Sequence, residues 1–117
     1  MITKVEDPVI EKISFAIIPL THGKYAMVDP DLYRYLRQFY WRAVKSKNCW
    51  YAVRRVTVGK RTITIKMHRE IARTPEDMHC HHRHGNSLDN RRSELQNMYP
   101  LEHKIHHQIY RHNHQTA

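Results

Sequence analysis

Seven of the eleven histidines in this 117-residue chain lie between Met78 and His107. His81 and His82 are adjacent, and His103 and His107 are separated by one helical turn. Imidazole titrates near neutral pH and binds transition metals, so such a cluster can both hold a cation and exchange a proton. The stretch therefore predicts a divalent-metal site.

The overall charge indicates what this site could act on. The formal net charge is +9 and the isoelectric point is near 9.8, which favours a polyanionic partner. Nucleic acid is the first candidate and an acidic membrane surface is the second. We interpret the histidine stretch as a metal site that cleaves a phosphodiester bond in DNA, most simply in double-stranded DNA.

Length and composition set further expectations. The chain is long enough for one domain or for two small modules sharing a core. It has no run of about 20 apolar residues, so no membrane span is expected. The first residues do not resemble a signal peptide, and the two cysteines form no CxxC pair. These features predict a reducing compartment, with the cytoplasm as the default location.

The elements that must position the histidines begin with a strand-rich module at residues 16–74, after an N-terminal extension at residues 1–15. Ile17–Leu20 predicts an edge strand because it contains a proline, and a turn at His22-Gly23 leads to a second strand, Tyr25–Val28. Asp29 is predicted to cap a helix. The helix would bury a face made of Leu32, Leu36, Phe39 and Tyr40.

A β-hairpin follows, with strands Cys49–Val58 and Arg61–His68 flanking the tight turn Gly59-Lys60. This turn pairs Val58 with Arg61 and Arg54 with Ile65. One face would pack on the helix, although Arg54 interrupts its apolar pattern and needs a route to solvent. It carries Trp50, Ala52, Val56, Val58, Ile63, Ile65 and Met67. The other face is polar and basic, as a DNA-contacting sheet would be. It carries Tyr51, Arg55, Thr57, Thr62, Thr64, Lys66 and His68.

The second module is predicted at residues 75–117. A strand Met78–His82, a loop and a strand Leu95–Met98 lead to a helix Leu101–Tyr110, whose buried stripe would be Leu101, Ile105 and Ile109. His103 and His107 share another helix face, at about 5–6 Å between Cβ atoms, so they can bind one ion together with His81. Cys80 should point away from His81 into the core, and His79 could support the ligands. The chain is thus expected to be α+β, with a small antiparallel sheet packed on a helix and followed by a ββα segment.

This strand–loop–strand–helix segment resembles the HNH, or ββα-metal, endonuclease motif, in particular that of phage homing endonucleases. The resemblance covers about residues 78–107, and the doubled histidine and the final His-x-x-x-His are also similar to colicin DNases. The residues that carry it are His81-His82, Gly85-Asn86, Asp89-Asn90-Arg91, Leu95, Glu102-His103 and His107. The preceding segment is similar to the AP2-like DNA-binding module found before HNH motifs, through the stretches IPLTHGKYAMVD and WYAVRRV and the residues Met67-His68-Arg69.

The resemblance implies a role for each matching residue. His82 would be the general base that activates water, and His81, His103 and His107 would hold the divalent metal. Three imidazoles favour Zn²⁺, Ni²⁺ or another transition metal, with Mn²⁺ and Mg²⁺ left open. Arg91 and Arg92 would hold a backbone phosphate. The expected products carry a 5′-phosphate and a 3′-hydroxyl.

The sequence departs from the family pattern at Glu94. The middle Asn of the family, which orients the general base, falls there by its spacing to His103, although Asn90 lies four residues earlier. A carboxylate beside His82 would raise the pKa of its imidazole. Glu94 could instead accept a backbone N–H bond and orient the base, or approach the metal.

Two non-enzymatic alternatives stay open. In the first, the chain is a DNA-binding module in which the histidines hold a structural metal, and catalysis is weak or absent. In the second, it is a basic adaptor within a larger nucleoprotein assembly. The sequence does not distinguish them.

Overall fold

The computed structural model of the chain describes residues 15–101 and residue 105. Its fold is α+β with small antiparallel sheets, as the sequence predicts. The described strands are β1 (Ala16–Pro19), β2 (Tyr25–Val28), β3 (Arg42–Ser46), β4 (Cys49–Val58), β5 (Arg61–Lys66), β6 (His79–His82) and β7 (Leu95–Met98), and the described helices are α1 (Tyr33–Leu36) and α2 (Met67–Ala72).

Strands β1 and β2 pair antiparallel around the predicted turn, in which His22 and Gly23 have φ of 61° and 67°. The helix that follows is shorter than predicted: a 3-10 turn at Pro30–Leu32 runs into α1. Asp29 makes no side-chain cap there, and its carboxylate accepts the backbone N–H of Arg92 at 2.8 Å. A residue that is suited to cap a helix can therefore hydrogen-bond to a distant segment instead.

Strands β3, β4 and β5 form an antiparallel sheet in that order. The predicted hairpin register is confirmed, with Val58 opposite Arg61 and Arg54 opposite Ile65. Gly59 has φ of 63°, which glycine adopts without the penalty of a Cβ. Strand β3 was not predicted, because its turn to β4 contains no glycine and instead places Lys47 at φ of 57°.

The predicted apolar face of the hairpin packs against the core only at the end that is far from the Gly59-Lys60 turn. Ala52 is fully buried, whereas Val58 and Ile63 are 55% and 46% exposed because the tip extends beyond the helices. Arg54 does not reach solvent as a free cation. Its guanidinium lies 3.9 Å from the Phe39 ring centroid and forms two hydrogen bonds to Glu70, at 3.1 and 3.2 Å. An ion pair and a ring thus accommodate the charge within an otherwise apolar face.

The main core lies where the first hairpin, α1 and the inner end of the sheet meet. Trp41 is anchored in it by a 2.7 Å hydrogen bond from its indole N–H to the carbonyl of Leu36. The expected burial of Tyr40 is wrong, because this side chain lies beyond the end of α1 and is 73% exposed. The buried cluster consists of Ile18, Ala26, Val28, Leu36, Trp41, Ala52 and Met67.

Helix α2 begins at Met67, inside the segment predicted as the strand Arg61–His68, and this changes the position of His68. The side chain was expected on the solvated face of a strand, yet it is buried in the first turn of the helix. Strands β6 and β7 pair antiparallel as predicted, with His82 opposite Leu95. The Asn97 side chain joins this pair to α2 by donating to the Ala72 carbonyl at 2.9 Å.

The chain turns helical at Pro100, and Leu101 and Ile105 are also helical. They were expected in a buried stripe but are 69% and 46% exposed, since they lie beyond Met98, the last buried residue of β7. The rest of this predicted helix, with His103, His107 and Ile109, lies outside the described residues, as does most of the predicted N-terminal extension. Within the described part of the chain, no helix has the length and apolar character that crossing a membrane requires.

Candidate functional site

His82 ends strand β6, and its ring is held by a side chain from the following loop. Its Nε2 lies 2.8 Å from Oδ1 of Asn90, which is fully buried. An amide oxygen only accepts hydrogen bonds, so this contact requires the proton on Nε2 and leaves the lone pair on Nδ1. A neutral imidazole with this tautomer can accept a proton at Nδ1.

The loop that carries Asn90 is fixed by the first module. The backbone of Met27 in β2 donates to the carbonyl of Leu88 at 2.8 Å and accepts from the N–H of Asn90 at 2.7 Å. Met27 and Asp89 thus form a parallel β-bridge, and the hydroxyl of Ser87 donates to the carbonyl of Trp50. The two predicted modules are therefore joined by backbone hydrogen bonds beside His82.

A second histidine contacts the ring of His82. The centroids of His68 and His82 are 4.9 Å apart with a tilt of 55°, and the Tyr51 ring lies 5.6 Å from His68. His68 is 6% exposed, and its Nδ1 is buried with no hydrogen-bond partner among the described residues. Two imidazoles therefore lie together at the end of β6.

Burial keeps both imidazoles neutral. It lowers the pKa of His68 to about 3, and the neighbouring imidazole of His82 and the cations Lys66 and Arg69 act in the same direction. Burial also lowers the pKa of His82, outweighing the Asn90 hydrogen bond and the nearby carboxylates, which raise it. His82 is thus ready to accept a proton at neutral pH.

Glu94 does not make the contact with His82 that its place in the family pattern implied. Its carboxylate oxygen Oε1 lies 2.6 Å from Nδ1 of the exposed His84. The side chain that contacts the ring of His82 is that of Asn90, because the backbone bridge between Met27 and Asp89 brings its amide there. The raising effect expected of a carboxylate on the pKa of His82 is present, but burial exceeds it.

Of the three predicted metal ligands, only His81 lies among the described residues, where it is 8% exposed on β6. His103 and His107 lie outside them. Within the described residues, no three His, Cys, Asp or Glu side chains come together as a metal-binding group. Cys80 is half-buried, and its thiol donates to the carbonyl of His68 at 3.6 Å.

The two predicted phosphate-binding arginines are engaged within the protein. Arg91 makes a two-pronged contact with the buried Asp89, at 2.8 and 2.6 Å. Arg92 reaches Asp31 at 3.1 and 3.0 Å, and its hydrogen bond lowers the pKa of that carboxyl. Both arginines therefore hold the loop and the turn at the start of α1 in place.

The predicted basic face exists as a continuous face of the three-stranded sheet. By strand alternation, Tyr51 and Arg55 share this face with Thr64 and Lys66, whose partners across the strands are Arg55 and Val53. Arg42, opposite Val53 on β3, adds a cation that the sequence analysis missed along with its strand. Since Tyr51 contacts His68, the basic face leads toward His82.

The signal that could have placed His68 correctly is the spacing of Met67 and Ile71. These apolar residues lie four apart, as on one face of a helix, and both pack in the core. Comparison with known proteins adds no assignment to this geometry. The chain matches no protein-family model, no curated protein and no solved structure.

Proposed function

We propose that the chain is a metal-dependent DNA endonuclease of the HNH type, in which His82 is the general base. The observation that carries this proposal is the environment of His82, which is neutral and fixed by Asn90 at Nε2. A general base must be unprotonated before attack and must keep its accepting nitrogen directed at the water. An ordinary surface histidine does not meet the second condition, because nothing fixes its ring.

In this proposal, Nδ1 of His82 accepts a proton from the water that attacks the phosphorus. Nε2 keeps its proton and its hydrogen bond to Asn90, so the ring holds one orientation while its charge changes. The imidazolium formed in this step is stabilised by the charges of Asp89 and Glu94, which favour the protonated ring. As the new P–O bond forms, the P–O3′ bond breaks and the 3′-oxygen leaves, taking a proton from solvent. His82 returns its proton to solvent, so the products carry a 5′-phosphate and a 3′-hydroxyl.

The donor set fits a transition-metal ion, because three imidazoles are the ligands that such ions prefer. His81 would hold it together with His103 and His107. When bound, a divalent ion supplies a Lewis acid that stabilises charge on the phosphate and on the leaving oxygen.

The substrate surface in this proposal is the basic face of the sheet, with Arg55 and Lys66 as its main cations. Neither side chain is paired with a carboxylate in the described part of the chain, in contrast with Arg91 and Arg92. Tyr51 and Thr64 lie between these cations and can contact the sugar-phosphate backbone. DNA laid along this face would reach His82.

Cleavage is tested with supercoiled plasmid in the presence of Mg²⁺, Mn²⁺, Ni²⁺ or Zn²⁺. We expect nicking or linearisation by the wild type and none by His82→Ala, with DNA binding retained. His84→Ala is the matched control, because this neighbouring histidine is 79% exposed and should be dispensable. Binding without cleavage under every metal would replace the enzyme proposal with a DNA-binding module that carries a structural metal.

Glu94→Asn separates the two residues that could orient the base. Because Asn90 already contacts His82, cutting should continue at an equal or higher rate. Complete loss of cutting by a folded Glu94→Asn protein would instead give Glu94 a chemical role of its own.

The surface is tested by the dependence of binding on salt. Arg55→Ala with Lys66→Ala should reduce the slope of log K against log[salt] by roughly two phosphate contacts. Lys45→Ala with Arg61→Ala removes the same charge from the opposite face of the sheet and should leave the slope almost unchanged. Equal slopes for the two double variants would place the DNA elsewhere.

A further inference from the structure

We propose that His68 is a positioning residue that holds the imidazole of His82 in its productive orientation. This inference rests on the proposed nuclease function, since His82 needs a fixed orientation only if it acts as the base. His68 is assigned no role by the metal site or by the base itself. It contacts His82 from a different element of the fold.

One hydrogen bond does not fix a ring. The contact with Asn90 restrains Nε2 of His82, but the imidazole can still pivot about that point and swing Nδ1 away from the water. The ring of His68, 4.9 Å from that of His82, blocks this motion from one side. The Asn90 contact at Nε2 and the ring contact on one side together limit how far the imidazole of His82 can turn.

The ring of His68 is itself held in place by its surroundings, so it can restrict the motion of the His82 ring. It lies in the first turn of α2 directly after Met67, which is fully buried in the main core. Tyr51 packs against its ring, and the thiol of Cys80 donates to its carbonyl. The start of α2 is therefore fixed by the core and by two neighbouring strands.

The residue type also needs an explanation. Nδ1 of His68 is buried without a partner among the described residues, which is destabilising, and a phenyl or aliphatic side chain would avoid that loss. The ring of His68 nevertheless packs against that of His82, with centroids 4.9 Å apart and a tilt of 55°. A flat side chain held at this distance can restrict how its neighbour turns.

The experiment compares His68→Ala and His68→Phe with the wild type. Under single-turnover conditions, His68→Ala should cut about ten- to a hundredfold more slowly with an unchanged Kd for DNA, because misplacement of a reacting group affects the rate more than binding. His68→Phe keeps a ring and should restore most of the rate. If His68→Ala does not fold, His68→Leu takes its place, since leucine fills the volume without a flat face.

A second measurement does not depend on cleavage. The ¹⁵N and ¹³C shifts of the His82 imidazole report its tautomer and mobility, and we expect a single Nε2–H form in the wild type and in His68→Phe. In His68→Ala the ring should show averaged shifts. If the wild type cuts no DNA, the proposed function fails while these shifts still test the positioning role.

Two results would overturn the inference. One is a His68→Ala protein that cuts at the wild-type rate. The other is a set of His82 shifts that is the same in the wild type and in His68→Ala.

Discussion

His68 should make the protein lose stability in mild acid. Its side chain is 6% exposed, and burial lowers its pKa to about 3, whereas the unfolded chain returns it to about 6.5. Between these two values the unfolded state binds a proton that the folded state does not. Stability therefore falls as the pH drops below 6.5, and the loss continues until the folded state also takes up the proton near pH 3.

The size of the effect follows from the separation of the two pKa values. Each pH unit between them is worth about 1.4 kcal/mol, so lowering the pH from 6.5 to 5 removes at most about 2 kcal/mol. Above pH 6.5 the contribution is flat, because both states are neutral there. For a domain of this size, 2 kcal/mol corresponds to about 1 M in the urea midpoint.

The assay is urea unfolding at pH 7 and pH 5 for the wild type and for His68→Phe, both in EDTA because metal binding is itself linked to protons. The phenyl ring keeps an aromatic side chain at this position but cannot titrate, so the pH dependence due to His68 is absent from the variant. We expect the wild type to lose up to about 2 kcal/mol more than His68→Phe between the two pH values. An equal loss would show that His68 is not buried as a neutral ring.

Three further changes test the contacts around the site and the fold. Asn90→Asp replaces the amide at His82 with a carboxylate and raises the pKa of His82, so the acidic limb of the cleavage profile should move to higher pH; an NMR titration of His82 measures the same change directly. Glu70→Gln weakens the two hydrogen bonds to Arg54 and should lower the free energy of unfolding by about 1–3 kcal/mol, measured with urea. Gly59→Ala forces a Cβ into the left-handed region at φ of 63° and should lower it by about 1–2 kcal/mol.

Local patterns in the sequence were sufficient to predict the fold class and the positions of several strands. The Gly59-Lys60 turn fixed the register of the β4–β5 hairpin, because a two-residue loop allows few alternatives. The His22-Gly23 turn was predicted by the same kind of reasoning, and strands β6 and β7 were predicted without a register. These features depend on residues close together in the chain, and a sequence read in order displays them.

The contacts that define the site are long-range, and sequence reasoning missed them for that reason. Spacing along the chain assigned the orienting position to Glu94, whereas a backbone bridge to Met27 brings Asn90 to His82. Strand alternation placed His68 on a solvated face, although the helix starts one residue before it. Only the first of these contacts is beyond local patterns, because the spacing of Met67 and Ile71 already indicates a helix at His68.

The two predicted modules are not independent in their chemistry. His82 and His81 belong to the histidine-rich segment, but the loop that orients His82 is hydrogen-bonded to β2, and the ring beside it comes from α2. The strand-rich module therefore contributes to the surroundings of His82, because β2 holds the loop that carries Asn90 and α2 supplies the ring of His68. Beside the His82 ring lie buried nitrogens of His68 and Asn90 that have no hydrogen-bond partner among the described residues. They lower the local stability at the place where, in the proposed mechanism, the orientation of the His82 imidazole decides the rate of DNA cleavage.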